Sequence, residues 1–285
     1  MIAGFSIPKI KINGSVEIPS IGLGLSRVKK GSETINTVIN ALEVGYRLFD
    51  TAKFYGNEKD LGTAVKISGI NREEIFIISK VWKTDLGYKK TLKAFYRTLK
   101  NLKMDYVDLY LIHFPADNYS ESWSAMEFLL NEGKCRAIGV SNFGISELDS
   151  LTNQFGMVPF INQIQLNPFN TQKRTVDYCK NNHIQIIAHS PLARAQKLND
   201  QNILNLSEKH KKTPAQIFIR WSFQNGYIPI PKTIQGKRMV ENLDIFNFDL
   251  DIQDMIILDN LNENYHVQGK KEKLKKYFRR FIRQI

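Results

Sequence analysis

Residues 107–113 read Val107-Asp108-Leu109-Tyr110-Leu111-Ile112-His113. Four apolar residues in a row, closed by a histidine, do not show the in–out alternation of a half-wet strand. They read as a strand buried on both faces, as in a parallel sheet covered by helices. Ile75-Phe76-Ile77-Ile78 reads the same way. Working outward from these two, short β-rich runs fall at 22–25, 47–50, 75–79, 107–113, 135–140, 160–165, 184–189 and 227–231. Stretches of helical period lie between them. Residues 34–44 set Ile35, Val38, Ile39 and Leu42 on one face. Residues 91–102 do so with Leu92, Phe95, Leu99 and Leu102, and another stretch carries Trp123, Met126, Leu129 and Leu130. Pro214 directly follows Thr213, a proline at a first helical turn behind a capping hydroxyl. Strand and helix alternating eight times predict an α/β fold, a single (β/α)8 TIM barrel. The alternative pattern is an open doubly wound sheet.

Ahead of the first barrel strand, residues 10–18 place two alternating runs around Asn13-Gly14, a strong hairpin signal. This predicts an N-terminal β-hairpin cap over the barrel mouth. The domain expectation is a barrel over 1–269 and a basic amphipathic tail over 270–285. The tail holds eight Lys or Arg against one Glu, a net +7 of the chain's +12, so the rest carries +5.

The wider composition agrees. The chain has 285 residues, 42% hydrophobic and 24% charged, an ordinary globular balance. It can bury a core and is not a disordered chain. No run approaches ~18 apolar residues, which excludes a membrane span. Residues 1–19 lack a basic-then-apolar signal, and the two cysteines, Cys135 and Cys179, fit a reducing compartment; a cytoplasmic location is expected. The mildly basic body does not read as a nucleic-acid protein. The five histidines make no metal-site pattern, so no metal is expected.

In a barrel, catalytic groups project from the C-terminal ends of the strands. Those ends offer Asp50 and then Tyr55 after strand two, Lys80 at the end of strand three, and His113 at the end of strand four. A tyrosine's pKa lies near ~10, too high for easy proton donation. A Lys80 ammonium beside it, kept charged by Asp50, is expected to lower that value. His113 can polarise a carbonyl oxygen. An acid beside a site of developing alkoxide charge suits carbonyl reduction. The four residues carry no hydride, so a cofactor must bring it. No glycine-rich nucleotide motif occurs; Gly22-Leu23-Gly24 is too short to count.

Four segments carry a resemblance: residues 49–58 with Phe49-Asp50-Thr51-Ala52-Lys53-Phe54-Tyr55-Gly56-Asn57-Glu58; Asp108-Leu109-Tyr110-Leu111-Ile112-His113; Ile138-Gly139-Val140-Ser141-Asn142-Phe143; and Ile230-Pro231-Lys232-Thr233 with Arg238, Glu241 and Asn242. In that order, from Gly22 to Asn264, the chain resembles the aldo-keto reductase superfamily. The resemblance implies reduction of aldehydes and ketones with NADPH on a (β/α)8 barrel, as a monomer acting on a small-molecule carbonyl substrate. It implies Tyr55 as proton donor with Asp50, Lys80 and His113 as partners. It places Asp50 near the nicotinamide ribose, and Ser141, Asn142 and Gln163 on the carboxamide. Ser190 and Leu192 fall against the pyrophosphate, Lys232, Thr233 and Arg238 on the 2′-phosphate, and Glu241 and Asn242 on adenine. Arg238 is expected to begin a short helix whose N-terminal end favours negative charge. Leu25, Phe54, Trp82 and Phe114 are expected to line an apolar substrate pocket. A non-catalytic nucleotide-binding or regulatory subunit on the same barrel is the alternative.

Two departures stand out. Where the family most often stacks an aromatic ring on the nicotinamide, this chain has His189. An imidazole titrates near neutral pH, so weaker or pH-dependent cofactor binding is expected. The family's Asn-x-Asn-x-Arg segment reads Asn262-Glu263-Asn264-Tyr265-His266, and a basic tail replaces a long lid. The short end suggests an open site for small aldehydes such as methylglyoxal or aromatic aldehydes. The tail, with Leu274, Tyr277, Phe278, Phe281, Ile282 and Ile285 at helical spacing, reads as a helix docked on the body or one making weak contact with an anionic membrane or acidic partner.

Overall fold

The computed structural model describes residues 7–12 and 14–267. The basic tail expected over 270–285 lies outside the described residues.

Two antiparallel strands open the fold, β1 (Lys9–Ile12) and β2 (Val16–Pro19). Ile12 pairs with Val16 across the hairpin. Gly14, with φ of 71°, supplies the left-handed conformation the turn needs.

Eight further strands follow: β3 (Leu23–Gly24), β4 (Leu48–Asp50), β5 (Phe76–Val81), β6 (Val107–Ile112), β7 (Cys135–Ser141), β8 (Ile161–Gln165), β9 (Gln185–His189) and β10 (Ile228–Pro229). They lie side by side in chain order, every pair parallel. The Gly22 and Gly24 amides donate to the Pro229 and Pro231 carbonyls at 3.0 and 3.1 Å, joining the first strand to the last. A sheet whose outer strands bond each other has no edge. This is the expected barrel.

Helices return the chain between strands: α1 (Ser32–Val44), α2 (Glu58–Ser68), α3 (Tyr88–Leu102), α4 (Tyr119–Asn131), α5 (Ile145–Phe155), α6 (Lys173–Asn181), α7 (Gln201–His210), α8 (Pro214–Gln224), α9 (Gly236–Leu243) and α10 (Ile252–Asp259). The start of α8 is as expected: the Thr213 hydroxyl accepts from the Gln216 amide, and the Gln216 side chain accepts from the Thr213 amide. Two boundaries differ. Strand β5 runs to Val81, so Lys80 lies inside it rather than at its end. Helix α9 begins at Gly236, and Arg238 is its third residue.

Two cores explain the unbroken apolar runs. Leu48, Phe76, Ile78, Leu109, Leu111, Ile161, Ile187 and Ile228 point into the barrel. Their neighbours Phe49, Ile77, Tyr110 and Ile112 point outward to the helices. Ile12, Val16 and Ile18 of the hairpin pack into the inner core, so the hairpin plugs one mouth. Cys135 and Cys179 are free and buried. Among the described residues no helix is long and apolar enough to cross a membrane, and no residue group could hold a metal.

Candidate active site

The open mouth gathers the C-terminal ends of β4 to β9. At its centre lies Lys80, fully buried. Its ammonium donates to Asp50 Oδ2 at 2.6 Å, to the Thr51 carbonyl at 2.9 Å and to the Tyr55 hydroxyl at 3.4 Å. A buried charge is tolerated only when paired and hydrogen-bonded. Burial opposes this one, but Asp50 and Tyr55 outweigh it, and the Lys80 pKa is raised. The Gln163 amide donates to the same Asp50 oxygen at 2.8 Å. Asp50 thus joins β4, β5 and β8.

Tyr55 corrects an expectation. Its pKa is raised, not lowered: burial raises it most, Lys80 pulls it back, and Asp50 pushes it up again. The ammonium offsets part of the burial penalty without reversing it. The Ser26 side chain also hydrogen-bonds Tyr55.

His113 begins just past β6, 7% exposed, its ring edge-on to that of Tyr55 at 5.7 Å between centroids. Burial, then Lys80 and His189, push its pKa down to about 2, so it is neutral. Its Nδ1 is buried with no partner. A bare acceptor is better tolerated there than an orphaned N–H, which places the ring hydrogen on Nε2.

At the ends of β7 and β8, Ser141 donates to the Gln163 carbonyl at 2.9 Å, and Asn142 follows with a φ of 61°. The Asn142 amide donates to the His113 carbonyl at 3.0 Å and to Ser141 Oγ at 2.9 Å. His189, the last residue of β9, has Nε2 at 3.0 Å from Asn142 Oδ1 and Nδ1 at 3.4 Å from Ser190 Oγ. The expected titration near neutral pH is corrected: burial, Lys80 and Arg194 push the His189 pKa down to about 3. Just beyond, Ser190, Ala193, Arg194 and Ala195 all have positive φ, and Leu192 is half-buried among them.

The groups past β10 are less uniform. Lys232 and Arg238 are exposed and make no ion pair among the described residues; Thr233 between them is buried. Glu241 accepts from the Thr213 hydroxyl at 2.6 Å, and Asn242 is buried beside Tyr46. Both residues, expected on adenine, have partners within the protein, Glu241 half-buried and Asn242 buried.

Of the expected substrate residues, three form a wall. Phe54, 61% exposed, stacks on Trp82 at 3.9 Å. Trp82 meets His113 edge-on at 5.0 Å, and Phe114 stacks on His113 at 5.1 Å. Leu25 is a correction: it is sealed in the outer core, its amide on the Asp50 carbonyl and its carbonyl on Asn57.

Some groups carry no signal in sequence. Ser26 is one. Glu58 is another: fully bonded in the interior, it accepts from Ser79, Thr98 and Asn101 and ties α2 to β5 and α3. Thr51, Asn57 and the Leu25 carbonyl form a similar chain behind Tyr55. For Thr51, Asn57 and Glu58 the one hint was their place in the run 49–58; Ser26 had none.

Comparison with known proteins gives consistent findings. A model described as the aldo/keto reductase family matches residues 20–263. A glyoxal reductase of Bacillus subtilis (strain 168) is 44% identical over 266 residues, 93% of this chain and 96% of the relative. A methylglyoxal reductase of Escherichia coli (strain K12) is 41% identical over 247 residues, 85% of this chain and 89% of the relative. The crystal structure of a Bombyx mori aldo-keto reductase in complex with NADP superposes with a TM-score of 0.87 at 33% identity, covering 94% of this chain and 97% of that one.

Proposed function

This chain belongs to the aldo/keto reductase family and is an oxidoreductase, and we propose that it reduces small aldehydes and ketones to alcohols with NADPH, Tyr55 giving the proton. The observation that carries this reading is the fully buried Lys80 ammonium held between Asp50 and the Tyr55 hydroxyl.

A general acid must hold its proton until the transition state needs it. The raised pKa keeps Tyr55 loaded at neutral pH. As negative charge gathers on the substrate oxygen and the proton leaves, Lys80 stabilises the forming phenolate. Asp50 keeps Lys80 charged and oriented. His113, neutral, donates from Nε2 to the carbonyl oxygen without delivering a competing proton.

The residues fit the dinucleotide. Lys232 and Arg238, exposed and unpaired among the described residues, suit a 2′-phosphate through charge-assisted bonds. Ser141, Asn142 and Gln163 would hold the carboxamide, and the turn at Ser190 and Leu192 would face the pyrophosphate. NADPH, when bound, supplies the hydride. Small dicarbonyls such as methylglyoxal, and flat aromatic aldehydes, suit the wall of Phe54, Trp82 and Phe114. The glyoxal and methylglyoxal reductases among the relatives support that choice.

A panel of such carbonyls, assayed by loss of NADPH absorbance, tests the proposal. Turnover of methylglyoxal or glyoxal is expected. NADPH binding without turnover of any member would favour a nucleotide-binding regulatory barrel instead.

A further inference from the structure

We propose that His189 is a positioning residue: a neutral, Nε2-protonated imidazole that locks the Asn142 side chain in one orientation and so presets the grip on a nicotinamide carboxamide. This rests on the cofactor reading above. This role differs from ring stacking, because it uses the edge of the imidazole and not its face.

The bonds leave one proton arrangement. Both hydrogens of the Asn142 amide are used, one on the His113 carbonyl and one on Ser141 Oγ. Asn142 Oδ1 therefore faces His189 Nε2, 3.0 Å away. An amide oxygen only accepts, so Nε2 must carry the hydrogen. Nδ1 is then bare and accepts from the Ser190 hydroxyl at 3.4 Å. The network fixes the Asn142 flip and the His189 tautomer together. Burial, Lys80 and Arg194 all disfavour a second ring proton.

The consequence is directional. Asn142 has no donor left and one lone pair free on Oδ1. It can accept from a carboxamide N–H but cannot donate to a carboxamide oxygen. Its φ of 61° lies in the left-handed region that asparagine tolerates, so it is the side-chain bonds that set its orientation. The chain of bonds runs from the end of β9 through β7 to the His113 carbonyl past β6. Loosening it loosens the ring that polarises the substrate as well as the cofactor clasp.

Two substitutions separate this from stacking. His189→Phe keeps a flat ring and removes the donor. His189→Gln removes the ring and keeps an N–H near the Nε2 position. NADPH affinity, followed by protein fluorescence, is expected to weaken roughly tenfold in His189→Phe, as loss of a partly buried hydrogen bond allows. It is expected to stay within about threefold in His189→Gln, with kcat falling in the Phe variant alone. Nitrogen-15 NMR of the labelled histidines is expected to show His189 as the Nε2–H tautomer. Wild-type-like or tighter binding by His189→Phe together with weak binding by His189→Gln would overturn the proposal in favour of stacking, as would an Nδ1–H or doubly protonated ring. No NADPH binding by the unaltered chain would overturn the cofactor reading itself.

Discussion

Lys80 shows how much a single buried residue can organise. Its ammonium has three oxygen partners and no contact with water, and each partner comes from the β4 end or the turn after it. Asp50, Tyr55, Lys80 and His113 stood out in the sequence as candidates because their chemistry is distinctive and they recur at successive strand ends. The sequence did not identify the direction of the Tyr55 shift or the neutrality of His189. Both depend on burial, and burial is a property of the assembled mouth. The same burial predicts a pH signature. His113 and His189 have pKa values of about 2 and about 3 when folded, against about 6.5 in an unfolded chain. As pH falls through about 6.5, the unfolded chain takes up protons that the folded site refuses, so stability present above that pH is progressively lost below it. The melting temperature of the unaltered chain is expected to fall more steeply between about pH 6.5 and 4.5 than that of His189→Gln. Parallel curves would contradict the depressed value.

At the scale of elements, all eight barrel strands were legible, because strands buried on both faces write themselves as apolar runs. The exact ends were not. Lys80 ended the expected strand only because a lysine reads as a boundary; in the structure its charge is paired, so β5 continues through it to Val81. Leu25 looked like pocket lining because it neighbours the mouth, yet its side chain turns into the outer core. Glycine inside α2 gave no clue to how closely that helix meets α3. A β-carbon on Gly62 would lie 2.0 Å from the Leu102 carbonyl oxygen. Alanine in a helix interior normally gains about 1 kcal/mol over glycine. Here the clash is with backbone at a helix end, which cannot swing aside, and overpacking of this kind costs about 1–3 kcal/mol or more. The clash should win: Gly62→Ala is expected to lower the melting temperature, and a rise would show that the two helices can separate freely.

At the scale of the molecule, closure and plugging set the site's address. The ring of strands leaves two mouths; the hairpin's Ile12, Val16 and Ile18 fill one, and the buried charges collect at the other. The sequence held this division in outline, through the hairpin signal ahead of the first strand and the polar residues at strand ends. It could not show which polar groups would bond to neighbours, such as Glu241 on Thr213, and which make no ion pair among the described residues, such as Lys232 and Arg238. The proposed chemistry depends on Tyr55 donating the proton in a site where binding and chemistry are separable. Single-turnover oxidation of pre-bound NADPH by methylglyoxal, compared between the unaltered chain and Tyr55→Phe, tests it most directly. The account predicts unchanged NADPH affinity and a hydride-transfer rate lower by about 10²–10⁴-fold in the variant; an unchanged rate would contradict it.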